Sequence, residues 1–151
     1  MNEQLPTIPR LFVNHVKGTA KEAIVADRRA LICHLTKAVL AGINLEMIKV
    51  YITTRVIKHL YDKRPAQEFD LILKKAYNII REPDEIYKNL DPKRGEYGFV
   101  KKIGNQLFFC SIEIEKGDGL AVATIFKLSK PESYLKNYKS LWRWKDGTPS
   151  S

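Results

Sequence analysis

Cysteine is almost missing from this chain of 151 residues, with only Cys33 and Cys110 present. Both sit in apolar surroundings, "ICH" and "FFCSI", so they read as buried free thiols of a reducing compartment and not as a disulfide framework. No set of Cys, His and carboxylate residues has metal-ligand spacing, so neither a metal site nor a cofactor is expected. The eight glycines fall at turns, without the spacing of a loop that cradles phosphates. No Ser-His-Asp or Cys-His arrangement stands out. Long apolar runs are absent as well: the longest, "LICHLTKAVLAGI", is broken by His34 and Lys37 and is too short to span a bilayer. The opening "MNEQLPTIPR" lacks the basic start and apolar stretch of a secretory leader. The expectation is a cytoplasmic protein with no membrane partner.

Acidic residues are outnumbered too. Seventeen Asp and Glu face 26 Lys and Arg, a net charge of +9, and such an excess favours a polyanionic partner, nucleic acid before membrane. Hydrophobic residues make up 44% of the chain, enough to bury a core and to exclude wholesale disorder.

Periodicity divides the chain into a helical first part and a stranded second part. Residues 1–18, with Pro6, Pro9 and Gly18, read as an extended arm. Thr19 and Glu22 have the spacing of a capping box, which predicts a helix from Ala20 to about Ala41, with Gly42 and Asn44 as its stop. His34 flanks the apolar stripe of that helix. "MIKVYI" is either a short strand or more helix. Thr53 or Thr54 then caps a helix to about Asp62, and after Pro65 another runs from about Ala66 to Ile80. Beyond Glu82-Pro83 the period becomes that of strands: "EIYKN", "GEYGFVKKI", a Gly104-Asn105 turn, "QLFFCSIEIE", a "KGDG" loop and "LAVATIFKL". "KPESYLKNY" reads as a turn or short helix, and "SLWRWK" as a last edge strand. The fold class is α+β. Residues 1–44 form an N-terminal arm and helical extension, 45–146 the main domain, and 147–151 a disordered tail.

Three features carry chemistry. On the helix Thr54–Asp62, His59 faces away from Ile57 and Leu60, with Arg55 one turn before it and Lys63 one turn after. Neighbouring cations disfavour a further positive charge, opposed by Asp62, and a neutral imidazole can take a proton and return it. A surface histidine in a solvated basic stripe is the plainer alternative. Thr124 offers a hydroxyl for a phosphate oxygen, although strand alternation groups it with Leu120, Val122 and Phe126 on a buried face. Last, Lys127, Lys130, Lys136, Lys139, Arg143 and Lys145 interleave with Tyr134, Tyr138, Trp142 and Trp144. Aromatic platforms beside cations suit single-stranded RNA; alternatively the two tryptophans pack the last strand onto the core.

The order of "VYITTRVIKHLYDKRP", "IIREPDEIYKN", "YGFVKKIGNQLFFCSIEIEKGDGLAVATIF" and "SKPESYLK" resembles the phage-associated nuclease domains of the barnase–EndoU–colicin–RelE superfamily, over about Leu45 to Lys145. The resemblance implies N-terminal helices packed on a four-stranded antiparallel sheet, and metal-independent, cofactor-free cleavage of RNA. It puts catalytic roles on His59, Lys63, Arg64 and Thr124. RNA contacts fall on Arg55, Lys127, Ser133, Tyr134, Lys136 and Trp142, and a cognate inhibitor or phage protein is a further possible partner. In such domains the helix often ends in a second histidine before the proline; here that place holds Arg64. Two other readings stay open: a non-catalytic RNA-binding module of the same fold, and a protein-interaction domain.

Overall fold

The computed structural model describes residues 7–46, 48–91, 96–115 and 119–143. Trp144, Lys145, the 147–151 tail and most of the "KGDG" loop lie outside the described residues. The fold is α+β, as the change of period predicts, with seven strands in one sheet among the described residues where the resemblance implies four. In chain order the elements are α1 (Ile8–Leu11), a π-helical turn (Phe12–Val16), β1 (Arg29–His34), α2 (Lys37–Ile43), β2 (Lys49–Thr53), α3 (Thr54–Lys63) and α4 (Ala66–Arg81). There follow β3 (Glu85–Asn89), β4 (Tyr97–Ile103), β5 (Gln106–Glu115), β6 (Gly119–Lys127), α5 (Pro131–Tyr134) with a 3₁₀ turn (Leu135–Asn137), and β7 (Tyr138–Arg143). The strands lie side by side as β1-β2-β6-β5-β4-β3-β7. Every neighbouring pair is antiparallel except β2 with β6, which is parallel.

The two helices predicted on either side of Pro65 form where their apolar spacing places them. Thr53 caps α3, its hydroxyl accepting from the Val56 amide at 3.3 Å, and α4 ends at Arg81, just before Glu82-Pro83. Their inward residues, Ile57, Leu60, Phe69, Ile72, Ala76, Ile79 and Ile80, share one core with Phe108, Cys110 and Ile112 of β5. Burial of those side chains out of water is the main stabilising term for such a layer.

The first part of the chain departs from expectation. No helix runs from Ala20 to Ala41. Glu22, the would-be capping partner, takes a positive φ of 66° and its amide donates to Asp62 at 2.9 Å, while the Thr19 hydroxyl donates back to the Val16 carbonyl at 2.6 Å. The apolar run "ALICH" becomes strand β1 because β2 offers it a ladder, with Ala30 opposite Ile52 and Cys33 opposite Val50. Only the end of the predicted helix survives, as α2, capped by Thr36 and closed by Asn44 in the left-handed region at φ 57°. The supposed arm is helical over residues 8–16, and Leu11 and Val16 are fully buried in the main core. The β1–β2 ladder therefore crosses the boundary drawn at residue 44.

The second face of the sheet is covered too. Val100, Phe109 and Leu128 pack there beneath Phe126, Tyr134 and Tyr138. Gly98 on β4 makes room: a Cβ at that position would stand 2.4 Å from the Phe109 ring. Both thiols are buried and free, and burial pushes the Cys33 thiol up to about 12 and raises Cys110 as well, which leaves both inert as nucleophiles. Among the described residues no helix is long and apolar enough to cross a membrane.

Candidate active site

Helix α3 has two working flanks. On one, the buried hydroxyl of Thr54 donates to the Ala26 carbonyl at 2.6 Å and accepts the Arg28 amide at 2.9 Å. One turn on, the buried ammonium of Lys58 donates to the Ala20 carbonyl at 2.6 Å and to Asp62 at 2.8 Å. These bonds strap residues 20–28 to the helix. The Asp62 carboxyl is held below the usual carboxylate range by its hydrogen bond from Lys58 and by the Glu22 amide. On the other flank Arg55, His59 and Lys63 are exposed; at i, i+4 and i+8 they follow one line down the helix. Among the described residues His59 has neither a hydrogen bond nor an ion pair. It faces solvent, away from Ile57, as its position on the helix predicts.

Arg64 ends α3 and turns back onto β6. Its Nη2 donates to the Thr124 hydroxyl at 3.0 Å and its Nε to the Ile125 carbonyl at 3.2 Å. The guanidinium carbon sits 5.6 Å from the centre of the Phe126 ring. Glu68, one turn into α4, approaches Nε at 3.7 Å and also accepts the Lys127 amide at 3.4 Å. Two features of β6 make this corner. β2 pairs with it only at Leu120 and Ala121, which leaves the strand's later edge to α3. A bulge then intervenes: Thr124 lies opposite Ser111, but Val122 lies opposite Ile112. The extra residue, Ala123, reverses the alternation. Leu120, Val122 and Ile125 face the core shared with the helices, while Thr124 turns out with Phe126 to the other face. Simple alternation had buried Thr124 with Leu120 and Val122; the bulge corrects that.

Phe126 leads on to a cleft of about 310 Å³, lined also by Lys127, Lys130, Ser133 and Tyr134. Lys127 and Ser133 are exposed at it, and Lys136 is exposed on the following turn. Tyr134 is half-buried, edge-on to Phe109 and Phe126 at 5.0 and 5.1 Å and stacked on Tyr138 at 5.8 Å. Trp142 stands apart, on β7, with its indole against Gly42 so closely that a Cβ there would lie 1.9 Å from the ring. That is the packing alternative, and it applies to this tryptophan. The structure thus joins Arg64 to Thr124 and sets both beside Phe126. His59 lies one turn before Lys63 and lines neither this cleft nor the one at the start of α3. Sequence reasoning missed Glu68 and Phe126 as neighbours of Arg64, although the i, i+4 spacing of Arg64 and Glu68 was the available signal. Among the described residues no three His, Cys, Asp or Glu side chains gather as a metal site would require.

A helix pair packed on a bulged sheet strand, with an arginine at the end of the first helix bonded to a strand hydroxyl near a basic, aromatic cleft, defines an α+β domain. The chain matches the family model of phage-Barnase-EndoU-ColicinE5/D-RelE like nuclease3 over residues 34–136, well over half its length, and it belongs to that family. No curated protein and no solved structure matches it.

Proposed function

We propose that this member of a nuclease family is a metal-independent endoribonuclease acting by transesterification on single-stranded RNA. The observation that carries the reading is the contact between Arg64 and Thr124, which brings the end of α3 and the outward hydroxyl of β6 together beside Phe126, a residue of the cleft that Lys127 and Lys130 also line. The 2′-oxygen of the ribose attacks its own 3′-phosphate. A P–O2′ bond forms, the P–O5′ bond breaks, the 2′-hydroxyl proton leaves to a base, and the departing 5′-oxygen takes a proton. His59 exchanges these protons with the reacting oxygens from the exposed line of α3, as a positioned imidazole can near neutral pH.

Charge builds on the phosphorane oxygens, and fixed cations there supply the largest share of such catalysis. Arg64 has five N–H donors, of which the bonds to Thr124 and Ile125 occupy two; the remainder and Lys63 are available to the phosphate. Because Thr124 accepts from Arg64, its own O–H is left to donate to a non-bridging oxygen. Lys127, Lys130 and Lys136 attract the strand beyond the cleft, with Ser133 and the edge of Tyr134 beside them. These cations do the charge neutralisation that a metal ion would otherwise do, and no cofactor is needed.

The full chain incubated with a mixed RNA pool in EDTA should yield fragments ending in 2′,3′-cyclic phosphate. Cleavage that disappears with EDTA and returns with magnesium would overturn the mechanism. A second reading, a family member that binds RNA without cutting it, is favoured by two observations: His59 lines neither cleft, and Arg64 stands where a second histidine is common. Salt-sensitive RNA binding without fragments would select it.

A further inference from the structure

At the opposite end of α3 from Arg64 a second cleft, of about 920 Å³, opens between the helix and the segment strapped to it. We propose that it holds a nucleotide of the same RNA strand, more than one internucleotide step from the scissile phosphate, an inference that rests on the ribonuclease reading.

The cleft is built, not incidental. The Thr54 hydroxyl, fully buried, fixes the Ala26 carbonyl and the Arg28 amide, and the buried Lys58 fixes Ala20. Buried polar groups are costly unless satisfied, and here their partners are the backbone of the cleft wall. The wall so held presents Ala23, Val25 and a completely exposed Ile24, 100% accessible. A free aliphatic side chain on a firmly tied segment offers contact to the face of a base. Arg28, Arg29 and Arg55 line the same cleft. Guanidinium groups bind phosphodiester oxygens in a fork and stack on planar rings; Arg29 already lies 4.2 Å over the ring of Tyr51. Lys58 adds little charge, since Asp62 pairs with it at 2.8 Å.

The two carboxylates, Asp27 and Glu115, repel bare phosphate and accept hydrogen bonds from amino groups of a base. A base with its phosphodiester meets all of these demands; an inorganic anion does not. Continuity with the proposed site comes from α3 itself. Arg55 lines the cleft and begins the exposed line that passes His59 and ends at Lys63, beside Arg64. Eight residues of helix separate the two cations, about 12 Å at 1.5 Å per residue, which suits a strand laid along the helix.

The test uses the full chain and 2′-O-methyl oligoribonucleotides, which cannot be cleaved because their nucleophile is blocked. A dinucleotide reaches only the scissile site, whereas a hexanucleotide reaches the cleft. The hexanucleotide should bind about tenfold more tightly, and Arg28→Gln and Ile24→Glu should each remove about fivefold of that affinity, the scale of one stacked base. Hydrogen exchange on the unsubstituted chain gives a reading that no folding defect can confuse: the hexanucleotide should slow exchange in residues 23–28. Unchanged hexanucleotide affinity in variants that melt like the parent would overturn the proposal. So would RNA protection absent from residues 23–28, which would leave the cleft to a protein partner. If the parent binds neither oligonucleotide, the ribonuclease reading itself falls; if it binds both equally, only the cleft assignment does.

Discussion

Arg64 and Thr124 stand sixty residues apart in sequence and are joined by a 3.0 Å hydrogen bond, with the arginine also holding the Ile125 carbonyl. This clasp ties α3 to the later stretch of β6, which β2 does not pair, and holds a strand hydroxyl that the bulge at Ala123 has turned outward. Its geometry depends on a planar donor fork, which lysine lacks. Arg64→Lys should therefore retain the charge, lose the clasp and lower the rate of RNA cleavage by about 10²–10³-fold, the range seen when one preorganised donor to a developing charge is removed. Full activity in Arg64→Lys would show that the clasp serves the fold alone.

How much of this corner was legible beforehand differs from residue to residue. The apolar spacing of α3 and α4 is decided locally, so both helices and the exposed direction of His59 could be read directly. Thr124 could not, because the bulge at Ala123 is a property of the β5–β6 ladder and leaves no mark on the alternation of β6. Residues 20–41 failed for a related reason. "ALICH" suits either a buried helix or a strand, and the edge of β2 decides between them. Thr19 and Glu22 matched a capping box by spacing, while Asp62 and Val16 supplied partners from elsewhere.

The β1–β2 ladder and the burial of Leu11 and Val16 make a specific claim about residues 1–44. A fragment of residues 45–151 loses a strand and part of the core. It should show no cooperative thermal transition, measured by circular dichroism. A fragment that melts like the full chain would restore the division at residue 44.

Asp62 should give the protein a pH-dependent strap. Its folded-state pKa is lowered, first by the Lys58 hydrogen bond and then by the Glu22 amide, so the ionised form stabilises the fold. That contribution is fully present above the ordinary Asp value of about 3.9 and is lost as pH falls through the lower, folded value. Asp62→Asn should melt earlier than the parent at pH 7, and the gap should close in acid. A gap that stays constant from neutral pH into acid would mean that the carboxylate charge plays no part.

Lys127, Lys130 and Lys136 surround or follow the smaller cleft. If they neutralise phosphates, the logarithm of RNA affinity should fall with the logarithm of salt concentration, by about 0.7 per phosphate on a single strand. Lys136→Glu should flatten that slope. An unchanged slope would move the strand off this face.

His59 provides the decisive substitution. It is exposed and, among the described residues, lacks a hydrogen bond or ion pair, so the fold makes little use of it. His59→Ala should leave stability within about 0.5 kcal/mol of the parent, as for most surface changes. If the imidazole moves protons at the phosphodiester, the same change should slow cleavage by about 10²–10⁴-fold, the usual contribution of a general acid or base. The two measurements together separate the alternatives, because a structural residue would lower the melting temperature and the rate together. A lost rate at unchanged stability would identify a catalytic group. Cleavage at the parental rate would return His59 to the solvated basic stripe on which it lies, and the proton transfers would then have to be sought nearer Arg64, where Glu68 is the only carboxylate within 4 Å among the described residues.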